Sequence, residues 1–340
     1  MGSVVKFSAV NAKVKALKGK MLKEEHYLKL QQCDDFKSVV RILKEDTKYG
    51  ESLNKYDVDT MHRGTLEVVL ARNFTGIYER FLNYFNSEYR RLLKNLFLRW
   101  EIEDLKIIIR GKYLGSSKEE IERKLIAKSS LNTINYDYLL ALKTVEEVIE
   151  GLKGSRYYKS TKNLAKDISK KGLFKIETDL DFIYFSSIRK ELKHLDKENK
   201  EVVYSIIGLE ADLLNLGWIY RGKIFYNIPS EELFNYTIYD GYKLSKEDLR
   251  KLCYVNVMED FYSLLEKTPY SYIYEKNNPS IIEKREREFQ KKHFNKYIRE
   301  SKTNLSLIMS YLILYRIEIR DIISIIEQKR YYVDVNEDIN

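Results

Sequence analysis

Three prolines and fourteen glycines in 340 residues leave few chain breakers. An all-β protein needs a turn residue every ten residues or so, so this scarcity excludes that class and favours long helices. Two cysteines, Cys33 and Cys253, exclude a disulfide scaffold and a cysteine-rich zinc site, and fit a reducing, cytoplasmic setting. The four histidines, His26, His62, His194 and His293, are scattered without ligand spacing. Long hydrophobic runs are missing too. The longest uncharged, mainly apolar stretch, Leu305 to Tyr315, has 11 residues, against about 20 for a membrane-spanning helix. Lys13, Lys15, Lys18 and Lys20 interrupt the place where a signal peptide would carry its apolar core. Lys6 occupies the position where myristoylation of Gly2 would require Ser or Thr. A soluble chain is expected.

What is present is 44% apolar and 33% charged residues, enough to build a core and too much apolar material for a disordered chain. The length suggests two or three domains. Sixty basic against 51 acidic side chains give a net charge of +9. That mild excess permits an anionic partner without demanding one. It is dispersed: residues 1–50 carry 11 basic and 6 acidic side chains, residues 283–302 carry 8 and 4.

The organising feature is an internal repeat. Glu101, Asp104, Leu105, Ile108 and Lys112 recur as Asp212, Asn215, Leu216, Ile219 and Lys223, and again as Glu318, Asp321, Ile322, Ile325 and Lys329. The members fall on one face of a helix. A second motif precedes the first in each third. Asp34-Asp35-Phe36 matches Glu146-Glu147-Val148 and Glu259-Asp260-Phe261, followed by Val40, Leu152 and Leu265. A hydroxyl residue then stands two places before a tyrosine: Thr47 and Tyr49, Ser155 and Tyr157, Thr268 and Tyr270. In this register the first copy carries four extra residues before its threonine, about one helical turn. The spacing predicts three homologous helical domains, over 1–115, 116–225 and 226–340, each of single-domain size. Long helices are expected over 66–100 and 281–325, with breaks at Gly115-Ser116, Lys128–Asn135, Asn227–Ser230 and Asn277–Ser280.

Little of this is catalytic chemistry. Gly217 to Lys223 fits the pattern G-x-x-x-x-G-K. A phosphate loop, however, needs a flexible turn after a strand and a Ser or Thr next to the lysine. Here Ile224 follows, and the repeat places the stretch near a helix end. The acidic pairs of the second motif read as charges that complement helix N-termini. For Glu101, Asp104, Lys112, Asp212, Asn215, Lys223, Glu318, Asp321 and Lys329 two readings stand. In one they form buried or half-buried ion pairs that pin the last helix of each unit. In the other, three copies face a shared central cavity. Lys13 and Lys15, on the basic N-terminal helix, are candidates for partner contact. No catalytic residue, metal ligand or cofactor site is expected.

These motifs, in this order and over essentially the whole chain, resemble the C subunit of bacterial and archaeal V-type (A-type) ATPases, called the d subunit in eukaryotes. The opening stretch Ala9-Val10-Asn11-Ala12-Lys13-Val14-Lys15-Ala16 through Lys20-Met21-Leu22-Lys23, the Tyr49-Gly50 pair, and Glu101 to Lys112 carry the resemblance. The later repeats drift: Asp212 replaces Glu, and Glu327-Gln328-Lys329 replaces Arg-Gly-Lys. The resemblance implies an all-α fold of three homologous helical domains in a pseudo-threefold funnel. It implies a non-catalytic rotor subunit without cofactor, on the cytoplasmic face of a membrane-embedded ring. The funnel would receive the foot of the central stalk, subunits D and F, and pass torque to the ring for proton or sodium transport. One copy per complex is implied, peripheral to the membrane through the ring, with no nucleic-acid partner. A helical RNA-binding or ribonucleoprotein component is the alternative, supported by the net charge and 13% aromatics. The dispersion of charge counts against it, because binding phosphates needs a basic track.

Overall fold

The computed structural model describes residues 3–126, 129, 131–164, 173–239, 241–274 and 279–337. The regular elements among them are α- or 3-10-helices and none is a strand, in keeping with the low Pro and Gly content. Of the expected breaks, 128–135 and 277–280 lie partly outside the described residues.

Among those residues one order of α-helices recurs three times. It runs Ser3–Gly19, Glu24–Gln32, Phe36–Asp46, Gly50–Leu53, Arg63–Leu82 and Ser87–Tyr113. It continues with Lys118–Lys124, Tyr136–Ala141, Val145–Gly151, Tyr158–Thr161, Phe174–Glu191 and Lys197–Ile224. It closes with Ser230–Asn235, Lys246–Tyr254, Met258–Leu265, Ser271–Tyr274, Pro279–Glu300 and Ser306–Glu337. By contacts the chain divides into two compact units, residues 1–180 with 311–340, and residues 181–310.

Polar caps set many helix starts. Asp35 accepts from the Ser38 amide at 2.7 Å, and Thr144 from the Glu147 amide at 3.2 Å. Ser117 with Glu120, and Ser245 with Asp248, form reciprocal capping boxes. These caps correct the register of the second motif. Asp35 is the cap itself, whereas Glu146 and Glu147, like Glu259 and Asp260, lie in the first helical turn. The buried leucines Leu43, Leu152 and Leu265 are the equivalent positions, and the first copy is longer by one residue rather than four.

The expected long helices over 66–100 and 281–325 are each two helices. The breaks fall at Asn83–Asn86 and Ser301–Leu305, where no Gly or Pro stands. Ser87 and Ser301 take positive φ, 49° and 50°, and the Asn304 side chain accepts from the Ser306 amide at 2.9 Å. A search for Gly and Pro passes over turns built this way.

One helix, Lys197–Ile224, is long and apolar enough to cross a membrane by length and composition, contrary to expectation. Its apolar window is 78% buried in the protein, as in the core helix of a globular unit. Unit 1 places Phe74 against Tyr315 (ring centroids 5.3 Å apart) and Phe81 against Tyr311 (6.0 Å). The start of the last helix therefore packs on a helix of the first repeat. In unit 2, Tyr220, Phe261 and Tyr274 form one aromatic cluster, with centroids 5.5–6.2 Å apart.

Candidate functional site

The hydroxyl-x-Tyr motif makes a small turn. The hydroxyl oxygens of Thr47, Ser155 and Thr268 accept from the backbone amides of Tyr49, Tyr157 and Tyr270, each at 3.2 Å. The turn points each phenol into the interior, where all three tyrosines are fully buried.

Each phenol donates to a late-motif acid, and always to the acid of the preceding repeat. Tyr157 Oη donates to Glu101 Oε1 at 2.5 Å, and Tyr270 Oη to Asp212 Oδ2 at 2.7 Å. The order closes on itself: Tyr49 Oη, in the first repeat, donates to Glu318 Oε1 at 2.6 Å, in the last. The three acids are 0–1% exposed. Each also receives a backbone amide from the loop that leads into the second helix of the next repeat. Thr133 supplies it to Glu101, Lys243 to Asp212 at 2.7 Å, and Leu22 to Glu318 at 2.7 Å. Thr133 adds its hydroxyl at 2.6 Å.

The second member of the motif grips the same region. Asp104 Oδ1 accepts from the Ile126 amide at 2.7 Å. Asn215 both accepts from the Ile238 amide (2.7 Å) and donates to its carbonyl (2.8 Å). Asp321 is half-buried. Burial first, then the charges of Glu318 and Asp321, push the nearby Tyr27 phenol far above its ordinary range.

The lysines close the arrangement at the far end. Lys112 Nζ donates to the Leu140 carbonyl and Lys223 Nζ to the Val255 carbonyl, both at 2.8 Å, and Lys329 Nζ to the Gln31 carbonyl. These carbonyls lie at the C-terminal ends of Tyr136–Ala141, Lys246–Tyr254 and Glu24–Gln32. An ammonium there satisfies an unpaired carbonyl and complements the negative end of the helix. Burial lowers the affinity of Lys112 and Lys223 for their protons.

The acid and the lysine, eleven residues apart on one helix, thus meet opposite ends of the neighbouring short helix, the acid at the loop before it and the lysine at a carbonyl of its C-terminal end. Acid and lysine do not pair with each other; at about 1.5 Å per residue they are roughly 16 Å apart along the helix. A cation from outside the motif meets Glu318: Lys48 Nζ lies 2.6 Å from Glu318 Oε1 and 3.6 Å from the Tyr315 ring centroid.

The motif's glycines also have a structural reason. A Cβ on Gly111 or Gly222 would stand 2.4 Å from the side chain of Ile121 or Leu233, on the next short helix. The stretch Gly217–Lys223 lies wholly inside Lys197–Ile224, so it forms no phosphate loop.

Sequence reasoning finds the acids and lysines. It finds the tyrosines as members of a recurring motif but misses them as partners of the acids, together with Lys48, Leu22, Thr133 and Lys243. The signal available is the equal count: three acids and three tyrosines, each with its own repeat. Lys13 and Lys15 are exposed on Ser3–Gly19, and neither takes part in these clusters. Among the described residues no group of His, Cys, Asp and Glu is arranged to hold a metal.

A family model described as ATP synthase (C/AC39) subunit matches residues 10–337. The chain is 28% identical over 278 residues to the C subunit of the A-type ATP synthase of Methanococcoides burtonii, covering 79% of this chain and 73% of that one. It is 27% identical over 266 residues to the corresponding A-type ATP synthase C subunit of Methanocaldococcus jannaschii, covering 78% and 66%. To that of Methanosarcina acetivorans it is 28% identical over 258 residues, covering 76% and 69%.

Proposed function

The chain belongs to the ATP synthase (C/AC39) subunit family, and on that premise we propose that it is a non-catalytic rotor subunit of an A/V-type rotary ATPase. In this reading it couples the central stalk, subunits D and F, to the membrane-embedded ring. It transmits torque for proton or sodium transport, one copy per complex, peripheral on the cytoplasmic side. Its three repeats, 1–115, 116–225 and 226–340, fold as three helical domains in a pseudo-threefold funnel that receives the stalk.

The observation that supports this most is the cyclic pairing of acids and tyrosines. Each repeat gives its last helix to the next, and the last repeat returns its helix to the first. A torque coupler has to resist shear between its parts. A hydrogen bond to a buried carboxylate contributes about 1.5–3 kcal/mol, and these bonds lie on the very helices that shear would separate. Lys13 and Lys15 remain candidates for contact with the stalk or ring.

The test is co-expression with subunits D and F and the ring, followed by purification through a tag on this chain. Stoichiometric recovery of both is the expected result. Recovery of neither, with RNA bound instead and released steeply by salt, overturns the reading.

A further inference from the structure

The N-terminal 23 residues carry Lys6, Lys13, Lys15, Lys18, Lys20 and Lys23 and no acid; the first is Glu24. In Ser3–Gly19 one stripe, Phe7, Val10, Asn11 and Val14, is buried at helical spacing. Phe7 anchors it, with ring centroids 5.6 Å from Phe85 and 5.4 Å from Tyr89. The other face presents lysines to solvent.

Beside this helix lies a groove of about 310 Å³ in unit 1. Lys13 and Leu17 line it from Ser3–Gly19. Ile77, Arg80 and Phe81 line it from the end of Arg63–Leu82, and Tyr84 from the turn that follows. Ile77 and Phe81 are buried and Leu17 is half-buried, so the floor is apolar. Lys13 and Arg80 are exposed, and Tyr84 is 41% exposed, so the rim is cationic and phenolic. Among the described residues no acid lines the groove, and neither Lys13 nor Arg80 is in an ion pair.

We propose that this groove docks an acidic amphipathic helix of a neighbouring protein in the assembly, its apolar face on Leu17, Ile77 and Phe81 and its carboxylates on Lys13 and Arg80. The inference rests on the reading of the chain as one component of a larger assembly. Three alternatives fit the chemistry less well. A free inorganic anion has no use for an apolar floor. A nucleic acid needs a longer basic track. A bilayer presents a broad surface to what is here a concavity. An amphipathic helix uses both parts, apolar anchors in the floor and charges at the rim.

The test uses the full chain in the co-expressed complex, with a photo-crosslinking amino acid in place of Tyr84 and two charge variants. We expect the cross-link to reach an acidic helical segment of another protein of the complex, identified by mass spectrometry. The double substitution Lys13→Glu with Arg80→Glu is expected to lower that cross-link, and recovery of the cross-linked protein, about tenfold, because like charges would then face each other across the contact. The double substitution Lys20→Glu with Arg72→Glu, at exposed positions just past the end of Ser3–Gly19 and on Arg63–Leu82 that do not line the groove, makes the same charge change outside it and is expected to leave both within about twofold. Equal effects of the two variants mean general attraction to a basic helix and overturn the proposal. So do cross-links to lipid, to RNA, to a basic segment, or to nothing in an intact complex. All four charged positions are exposed, and thermal melts of the variants establish that they fold. Failure of the unmodified chain to assemble at all takes down the functional reading as well, which distinguishes the two failures.

Discussion

The clusters around Glu318 and Asp212 make the same link between repeats with different electrostatics. Glu318 spreads its charge: Oε1 meets the Tyr49 phenol and the Lys48 ammonium, each at 2.6 Å, and Oε2 takes the Leu22 amide. At Asp212 the load falls on Oδ2, which accepts from Tyr270 and from the amides of Lys243 and Tyr242 (3.1 Å). Oδ1 is buried without a hydrogen-bond partner. It lies 1.7 Å from where a Cβ on Gly241 would stand. In place of Lys48, the residue before the tyrosine is Pro269. Burial accordingly pushes the Asp212 carboxyl up to about 6, against the pull of its hydrogen bonds. The shorter acid draws the 241–243 loop onto its helix, and only a glycine fits in the gap. One link is an ion pair inside a hydrogen-bonded cluster; the other is a carboxyl that gains a proton near neutrality.

The largest test of this difference is to remove each acid. Glu318→Ala leaves the Lys48 ammonium, 13% exposed, and the Tyr49 phenol without their anion. A loss of about 3–5 kcal/mol is expected, read by urea unfolding with Trp100 as the probe of unit 1 in a Trp218→Phe background. Asp212→Asn, read on Trp218 in unit 2, should lose far less at pH 7. Equal losses would end the comparison.

Next is pH. The Asp212 carboxyl holds its proton more tightly in the folded chain, with an ordinary value of 3.8 raised to about 6. The stability it contributes is fully present below 3.8 and is lost as pH rises through about 6. The expected loss is at most roughly 3 kcal/mol in unit 2, followed through Trp218 in a Trp100→Phe background. Asp212→Asn should flatten this dependence; an unchanged slope would mean that the carboxyl titrates normally.

Smaller effects are expected from the glycines. Gly111→Ala and Gly222→Ala should each cost about 1–3 kcal/mol by forcing Ile121 or Leu233 aside. Gln328→Ala, at the corresponding exposed position of the third repeat, should stay within about 0.5 kcal/mol. Denaturant midpoints decide it, and a costly Gln328→Ala would show that the third link is packed like the others.

The smallest effect concerns the lysines. Lys112→Met and Lys223→Met keep the aliphatic stem and remove the donor to a helix-end carbonyl, for about 0.5–1.5 kcal/mol each. Amide exchange at Tyr136–Ala141 and Lys246–Tyr254 should quicken in the respective variant and not elsewhere.

Much of the fold is legible in the sequence because periodicity and spacing are local. The helical class, the threefold recurrence and the positions of Glu101, Asp212, Glu318 and their lysines all follow from residues within a few turns of each other. Spacing alone sets the second motif out of register by three residues in its first copy, because acids can stand either at the cap, like Asp35, or in the first turn, like Glu147. The turns at Asn83–Asn86 and Ser301–Leu305 escape a sequence reading because serine takes the positive φ there.

By itself, then, the sequence determined which residues recur, at what spacing and on which helix face, since each depends on hydrogen bonds and side-chain spacing within one segment. Only the tertiary structure decided who pairs with whom. Tyr49 and Glu318 are 269 residues apart, and no local rule says that a tyrosine bonds the acid of the preceding repeat rather than its own. That choice is made by packing: the long helix brings its acid to the buried turn it lies against, and a carboxylate removed from water has to take the donors it finds there.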